Sequence, residues 1–338
     1  SWSGVSIARV SLVLGIDTSC DDTGVGVVSR GEVLANVVVT QTALHAAFGG
    51  VVPEQASREH LNVIDGAVVR ALDEAGVGLT DLTAVAATHG PGLVGALLVG
   101  LCYGKALAWG LGLPFVPVHH LAGHLAAADA EPPFLALVAS GGHTVLFQVD
   151  DWDAVTELGR SRDDAAGEAF DKVARLLGLG YPGGAALSAL AASGDDHGVD
   201  LPWPLKGDDG LSFSFSGLKT AVAQLLERRP DVRREDVAAT FERVAIGSLV
   251  EVTLRAAERT GARRLVVAGG VAANRRLRAE LGASGLEVSF PPPALSTDNG
   301  AMIALAAERL LAARPAGSPA PPDAWTVDAQ PYLPLAAA

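Results

Sequence analysis

Apolar and polar positions follow two rhythms along this chain. Leu12 to Val28 (LVLGIDTSCDDTGVGVV) reads as an apolar strand, a turn of Asp, Thr, Ser and Gly, and a second strand. Phe134 to Val149 (FLALVASGGHTVLFQV) repeats that order, with Ser140, Gly141, Gly142, His143 and Thr144 in the turn. Each predicts a β-hairpin. Short apolar runs at Ala84 to Thr88 and Leu265 to Ala268 predict a further strand in each half. Elsewhere the period is helical. In Ala165 to Leu179 the apolar Phe170, Val173, Leu176 and Leu177 leave Glu168, Asp171 and Lys172 on a polar side, and Ala301 to Leu311 is a second helical stretch. Strands interleaved with helices predict an α/β fold, and the repeated hairpin predicts two similar lobes. The boundary is expected near Asp129 to Pro133, and Arg314 to Pro322, rich in Pro, Ala and Gly, is expected to be a tail.

Composition narrows the class. A chain of 338 residues that is 49% apolar and 19% charged can bury a large core, which excludes disorder as the main state. Two cysteines, Cys20 and Cys102, cannot make a disulfide framework or a four-cysteine zinc site, so a reducing, intracellular setting is expected. The apolar run Val10 to Ile16 is broken by Ser11 and stops at Asp17, which predicts no signal peptide. The uncharged stretches Gly90 to Gly104 and Ala106 to Val118 are split by Lys105 and interrupted by Gly and Pro, so no membrane span is expected. A net charge of -13 excludes coating nucleic acid by charge alone. Yet residues 225 to 280 hold 12 of the 25 Lys and Arg against 8 of the 38 acids, a local balance of +4. That segment is either a phosphate-facing patch or a solvated helical surface.

Several strings carry chemistry. Facing hairpins with small polar turns suit a nucleotide's phosphates, because backbone N–H groups approach an anion only where side chains are absent. Gly90-Pro-Gly92-Leu-Val-Gly95 imitates a dinucleotide fingerprint, but Pro91 sits in the turn and no acid follows at the required distance. Helix-packing glycines, with Pro91 in the helix's first turn, are expected instead. Ser216-Gly-Leu-Lys219-Thr220 lacks the phosphate-loop spacing. His120-Leu-Ala-Gly-His124 puts two imidazoles on one helical face, where they either share a metal or sit satisfied in the core. Leu121 occupies the place where a zinc protease needs its glutamate base. Asp298, ahead of a helical stretch, is either a third ligand or that helix's N-cap. Asp17, Asp21 and Asp22 are further acids for such a site or ordinary turn residues. Asp171 can accept from ribose hydroxyls or pair with Arg175. Tyr181-Pro-Gly-Gly184 and Val267-Ala-Gly-Gly-Val-Ala-Ala-Asn274 offer flat glycine surfaces to a nucleoside, and Asn274 can equally cap a helix.

Taken together, GIDTSCDDTG from Gly15, GGVVPEQASR from Gly49, Gly90 to Gly95, His119 to His124, SGGHT from Ser140, DDAAGEAFD from Asp163, FSFSGLKT from Phe213, AGGVAAN from Ala268 and TDNG from Thr297 resemble the TsaD family, tRNA N6-adenosine threonylcarbamoyltransferases once described as O-sialoglycoprotein endopeptidases. The match runs collinearly from about Leu12 to about Pro334. The resemblance implies two lobes of actin, Hsp70 and sugar-kinase type, each a mixed sheet flanked by helices, with an active-site cleft between them. An N-terminal lobe over 12–130, completed by a helix at 300–314, a C-terminal lobe over 131–299 and a Pro/Ala-rich tail over 315–338 are expected.

Carried over residue by residue, the resemblance implies that His120, His124 and Asp298 bind one divalent metal, Fe2+ first and Zn2+ as the alternative. It implies that Val138, Ala139, Ser140, Gly141, Gly142, Asp171, Gly184 and Asn274 hold the adenylate substrate. Two departures stand out: Ser188 replaces an acid found in some relatives, and Asp17 stands where many have Glu. Asp17 is the expected general base. The implied reaction moves the threonylcarbamoyl group of L-threonylcarbamoyl-adenylate to N6 of adenosine 37 in tRNAs reading codons that begin with A. A paralogous dimer partner, a small ATPase and a cytoplasmic setting are implied with it, and the Arg-rich segment becomes the expected tRNA surface. A glycoprotein endopeptidase lacks its base here, a kinase leaves the histidine pair unexplained, and a non-catalytic scaffold has no need of the ligands.

Overall fold

The structure, a computed structural model, describes residues 11–46, 48, 50–152, 154–180, 182–313 and 322–335. Gly49 and Tyr181 of the quoted motifs, and 315–321 and 336–338 of the expected tail, lie outside the described residues. The chain forms two compact units.

Among the described residues, the first unit takes in those through Ala127, Trp152, Ala154, and those from Thr297 onward. It opens with the expected hairpin, β1 (Val13–Asp17) and β2 (Asp22–Ser29), followed by β3 (Glu32–Thr40) and a short α1 (Thr42–Ala46). Then come α2 (Pro53–Ala75), β4 (Ala84–Gly90), α3 (Val94–Leu111), β5 (Phe115–His119) and α4 (His120–Ala126). The sheet order is β3-β2-β1-β4-β5, antiparallel across the hairpin and parallel from β1 to β4 to β5. Every residue of β1 is buried, as a central strand covered on both faces requires. α3 begins at Val94, so Pro91 precedes the helix instead of entering its first turn. The glycines before it do serve close approach: a Cβ on Gly92 would stand 2.5 Å from the Ser19 carbonyl. α3 is also long and apolar enough to cross a membrane, with Lys105 inside it; it packs on α2 and β4.

The second unit, Ala128–Asp151 and Val155–Ser296, repeats the plan. Its hairpin is β6 (Phe134–Ala139) and β7 (Thr144–Asp151), with β8 (Ala154–Arg160) beyond. Helices α5 (Ala166–Leu176), α6 (Gly183–Ala191), α7 (Ser216–Arg228) and α8 (Arg234–Thr260) lead to β9 (Arg264–Ala268), α9 (Arg275–Gly282) and β10 (Glu287–Ser289). The order β8-β7-β6-β9-β10 matches the first sheet position for position, again with parallel pairing on one side of the hairpin.

The chain then returns to the first unit through α10 (Gly300–Ala312), whose residues Gly300 to Ala307 are all buried. α10 lies across β1 and β2 on a floor of glycines. A Cβ on Gly24 would stand 2.5 Å from the Gly300 nitrogen, and Gly15 and Gly26 are as tightly covered. Asp298 thus belongs with the first unit, not with the 131–299 range expected for the second. The expected tail is also corrected. Residues 322–335 lie against the first unit, where Ala324 is 1% exposed and the Trp325 ring lies 6.0 Å from that of Phe115. Alternating Pro and Ala hid a segment anchored by one tryptophan and by backbone hydrogen bonds.

Candidate metal and nucleotide sites

The turn from β5 into α4 builds the first site. His120 and His124 fall one helical turn apart, with ring centroids 4.8 Å apart and ring planes near perpendicular. Asp298 meets both: its Oδ1 lies 3.1 Å from His124 Nε2 and 3.6 Å from His120 Nε2. Asp298 is free to do so because Asn299 caps α10, its Oδ1 accepting from the Met302 N–H. The capping alternative for Asp298 therefore falls to its neighbour. The donor atoms of the three residues all lie within 4.8 Å of one another. Atoms bound to one tetrahedral ion at ~2.1 Å stand ~3.4 Å apart, which the two measured separations bracket. Two imidazoles and a carboxylate thus fit one divalent ion.

Asp17 lies behind this group. Its Oδ1 faces His120 Nδ1 at 3.4 Å and accepts from Thr88 Oγ1 at 2.6 Å, while Oδ2 accepts from Ser19 Oγ at 3.1 Å. The side chain is 1% exposed with both oxygens engaged, the arrangement of a positioning group and not of a base open to substrate. With Nδ1 directed at Asp17, Nε2 is the atom His120 offers beside Asp298, as a proton donor without an ion and as a ligand once an ion displaces that proton. Burial alone would push the His120 imidazole down; the charges of Asp298 and Asp17 outweigh it and raise the group to about 9. Cys20 is pushed up by burial and by Asp21 and Asp298, so it stays a thiol and offers no ligand. Asp22, half-buried with its Oδ1 unpartnered, is pushed up to about 6. Leu121, 4% exposed on the same helix, occupies the position at which the zinc-protease string carries its glutamate.

The remaining expected residues gather at one end of the second sheet. Val138 and Ala139 are buried strand residues that offer only backbone, while Gly141 and Gly142 are exposed with open space where side chains would stand. The turn is braced internally: the Ser140 N–H donates to the His143 carbonyl and the His143 N–H to Ser140 Oγ. Gly269, at φ 88°, brings the strand-to-turn stretch leading to Asn274 against Ala139. Asp171 Oδ1 accepts from the Gly183 N–H at 2.7 Å, which fixes the start of α6 and leaves Gly184 open. Asn274 does cap α9, accepting from the Leu277 N–H, and its amide nitrogen donates to Glu242 Oε1 at 2.7 Å and Ser188 Oγ at 3.1 Å. Ser188 Oγ in turn donates to Glu242 Oε1. A carboxylate from α8 thus stands beside Ser188 and Asn274. Sequence reasoning missed Glu242 because nothing in the spacing between α6 and α8 shows that they pack together.

The Arg-rich segment is mostly tied internally. Arg276 pairs with Asp196 and Glu280, Arg233 with Glu235 and Asp236, and Arg278 lies over the Phe290 ring. Arg228, Arg229, Arg263 and Arg275 are exposed.

The family model for TsaD, tRNA N6-adenosine threonylcarbamoyltransferase, matches residues 32–305. The chain belongs to the TsaD family. A relative of that name from Thermus thermophilus is 58% identical over 304 residues, covering 89% of this chain and 92% of its own. One from Bordetella petrii is 50% identical over 333 residues, covering 94% and 95%. Family members of that name are acyltransferases, and this TsaD chain is a transferase of tRNA modification. Among solved structures, HypF from T. kodakarensis has a TM-score of 0.60 at 14% identity, covering 90% of this chain and 48% of that one. Component A of (R)-2-hydroxyglutaryl-CoA dehydratase from Acidaminococcus fermentans has 0.54 at 17%, covering 89% and 97%. These likenesses bear on the fold alone, which is that of the actin, Hsp70 and sugar-kinase group.

Proposed function

We propose that this chain transfers the threonylcarbamoyl group of L-threonylcarbamoyl-adenylate to N6 of adenosine 37 in tRNAs reading codons that begin with A. What supports the reading beyond family membership is the His120, His124 and Asp298 group, fitted for one divalent ion and backed by Asp17. That ion, Fe2+ or Zn2+, would supply Lewis acidity that orients the threonylcarbamoyl part. The chain's own residues do the rest. Gly141 and Gly142 N–H groups face the adenylate phosphate, while Asp171, the Glu242 and Ser188 pair and Asn274 hold the nucleoside. N6 attacks the carbamoyl carbon, the new N–C bond forms, and the bond from that carbon to the phosphate oxygen breaks. The electron pair leaves with AMP, and the N6 proton passes to solvent. The exocyclic amine is a poor nucleophile, so alignment carries much of the acceleration.

In this reading a paralogous partner and a small ATPase complete the machinery in the cytoplasm. The exposed apolar face of α2 and α3, with Leu61 and Leu98, is assigned to the paralogue. Exposed Arg275 and its basic neighbours are assigned to tRNA. The test is a transfer assay with unmodified tRNA, the adenylate and the partner proteins, read by mass spectrometry of nucleosides. A threonylcarbamoyl-adenosine peak is expected, and it is lost with His120→Ala. No peak beside partners shown competent with another family member refutes the reading.

A further inference from the structure

His119 stands beside the metal-site histidines without joining them, and both of its ring nitrogens are in use. Nδ1 takes the Leu121 N–H at 3.1 Å, capping α4, and Nε2 meets the Leu333 carbonyl at 3.0 Å. A backbone N–H can only donate and a carbonyl can only accept, so Nδ1 carries the lone pair and Nε2 the proton. One neutral tautomer satisfies both contacts. His119 therefore links the helix bearing His120 and His124 to a segment more than 200 residues later in the chain.

That segment is fastened in two stages. Around Trp325 it is held by burial and by Lys105, whose ammonium donates to the carbonyls of Trp325 and Val327. From Gln330 onward it buries little, and Tyr332 is 92% exposed. Its ties there are hydrogen bonds from its backbone to the ligand end of the first sheet, two to backbone groups and one to the His119 ring. The Gln330 N–H donates to the His89 carbonyl at 2.7 Å, the Gly92 N–H donates to the Pro331 carbonyl, and His119 donates to Leu333. Residues that add so little to the core contribute through where they hold others. α4 has seven residues, too few for a helix to persist unaided, yet metal ligands must be placed to within ~0.2 Å.

We propose that His119 and residues 330–335 form a positioning strap for α4, so that the affinity of the His120, His124 and Asp298 group for a divalent metal depends on a contact remote from the ligands. The proposal rests on the reading of that group as a metal site. Four proteins test it against Co2+ and Zn2+, with thermal unfolding recorded in parallel: the wild-type full chain, a chain ending at Ala329, full-length His119→Asn, and the two changes together. Truncation keeps Ala324, Trp325 and Ala329 in place. The His119→Asn side chain keeps a capping oxygen for Leu121 but is too short to reach Leu333. Each change should weaken metal binding about tenfold or more and shift the Co2+ absorption bands, the size expected when an outer partner of a ligand is lost. Combined, they should weaken it no further than either does alone. Unchanged affinity in both variants overturns the strap, as does a combined loss equal to the product of the two. If the truncated chain does not fold, His119→Asn decides alone: weaker metal binding at unchanged melting temperature supports the strap, and unchanged affinity overturns it. A wild type that binds neither ion overturns the metal site itself and the strap with it.

Discussion

Replacing Gly24 by Ala should damage both the fold and the metal site, because the contact it disturbs is backbone on backbone. The new Cβ would stand 2.5 Å from the Gly300 nitrogen, 2.7 Å from the Asn299 carbonyl carbon and 2.8 Å from the Asn299 Cα, where ordinary contact begins at 3.4 Å. None of these atoms can rotate away. The start of α10 must therefore withdraw by roughly 1 Å, at an overpacking cost of about 1–3 kcal/mol. A loss of that size lowers the melting temperature by about 2–4 °C per kcal/mol in a domain of this scale. Asp298 immediately precedes the displaced residues, and ligand distances tolerate only ~0.2 Å, so metal affinity should fall by more than about tenfold. Calorimetric unfolding and a Co2+ titration read the two effects. Gly66→Ala at an exposed position of α2, where a Cβ meets nothing within 4 Å, is the control and should stabilise by about 0.5–1 kcal/mol. A Gly24→Ala protein with wild-type melting temperature refutes the packing argument. One that melts lower but binds metal as tightly refutes the claim that this floor places Asp298.

Three further outcomes are expected. Burial, with Asp21, Asp298 and Asp17 adding to it against the Thr40 hydrogen bond, raises Asp22 to about 6, so between about pH 4 and 6 the metal-free fold holds a proton that the unfolded chain has released. Stability falls as pH rises through that window, by at most ~3 kcal/mol before solvent screening, and Asp22→Asn should abolish the fall; parallel urea curves for both proteins at pH 4.5 and 7.5 would refute it. Glu242→Ala unties Asn274 and Ser188 and should weaken adenylate binding by about 1–3 kcal/mol, read by calorimetry, with unchanged affinity counting against the nucleoside assignment. Arg275→Glu should weaken tRNA binding and make its salt slope shallower by about 1 or more; identical slopes remove this residue from the tRNA surface. Arg276 is a poorer probe, because its pairing with Asp196 and Glu280 braces α9.

Much of this architecture was legible in the residues. Both hairpins, strands β4 and β9, and helices α5 and α10 lie where apolar periodicity predicts them, because their patterns are local. The i, i+4 spacing of His120 and His124 likewise fixes their common face. What escaped depends on contacts between distant segments. Asn299 outcompetes Asp298 for the cap by one residue, a choice decided by how the turn meets the glycine floor. Glu242 reaches Ser188 only because α6 and α8 pack together. The Arg-rich segment looked like one patch, yet most of its charge is spent on neighbours invisible in sequence, such as Asp196. Residues 322–335 carried a tail's composition, and what gives them a place is the packing of Trp325 with their hydrogen bonds to Lys105, Gly92 and His119.

The return of the chain to the first unit sets a schedule for synthesis. His124 must wait for Asp298, 174 residues later, and α10 is the element that covers β1 and β2. At ~5–20 residues per second the ribosome takes about 9–35 s to make that stretch. During this time the second unit's sheet can close on strands already made, while the first has α2 and α3 to pack on its sheet but still lacks α10 over β1 and β2. The His120, His124 and Asp298 group is therefore a late product of translation, complete only once residue 298 has been made. A nascent chain arrested before residue 298 has the two histidines but not Asp298, so the completed group marks the closing of the first unit.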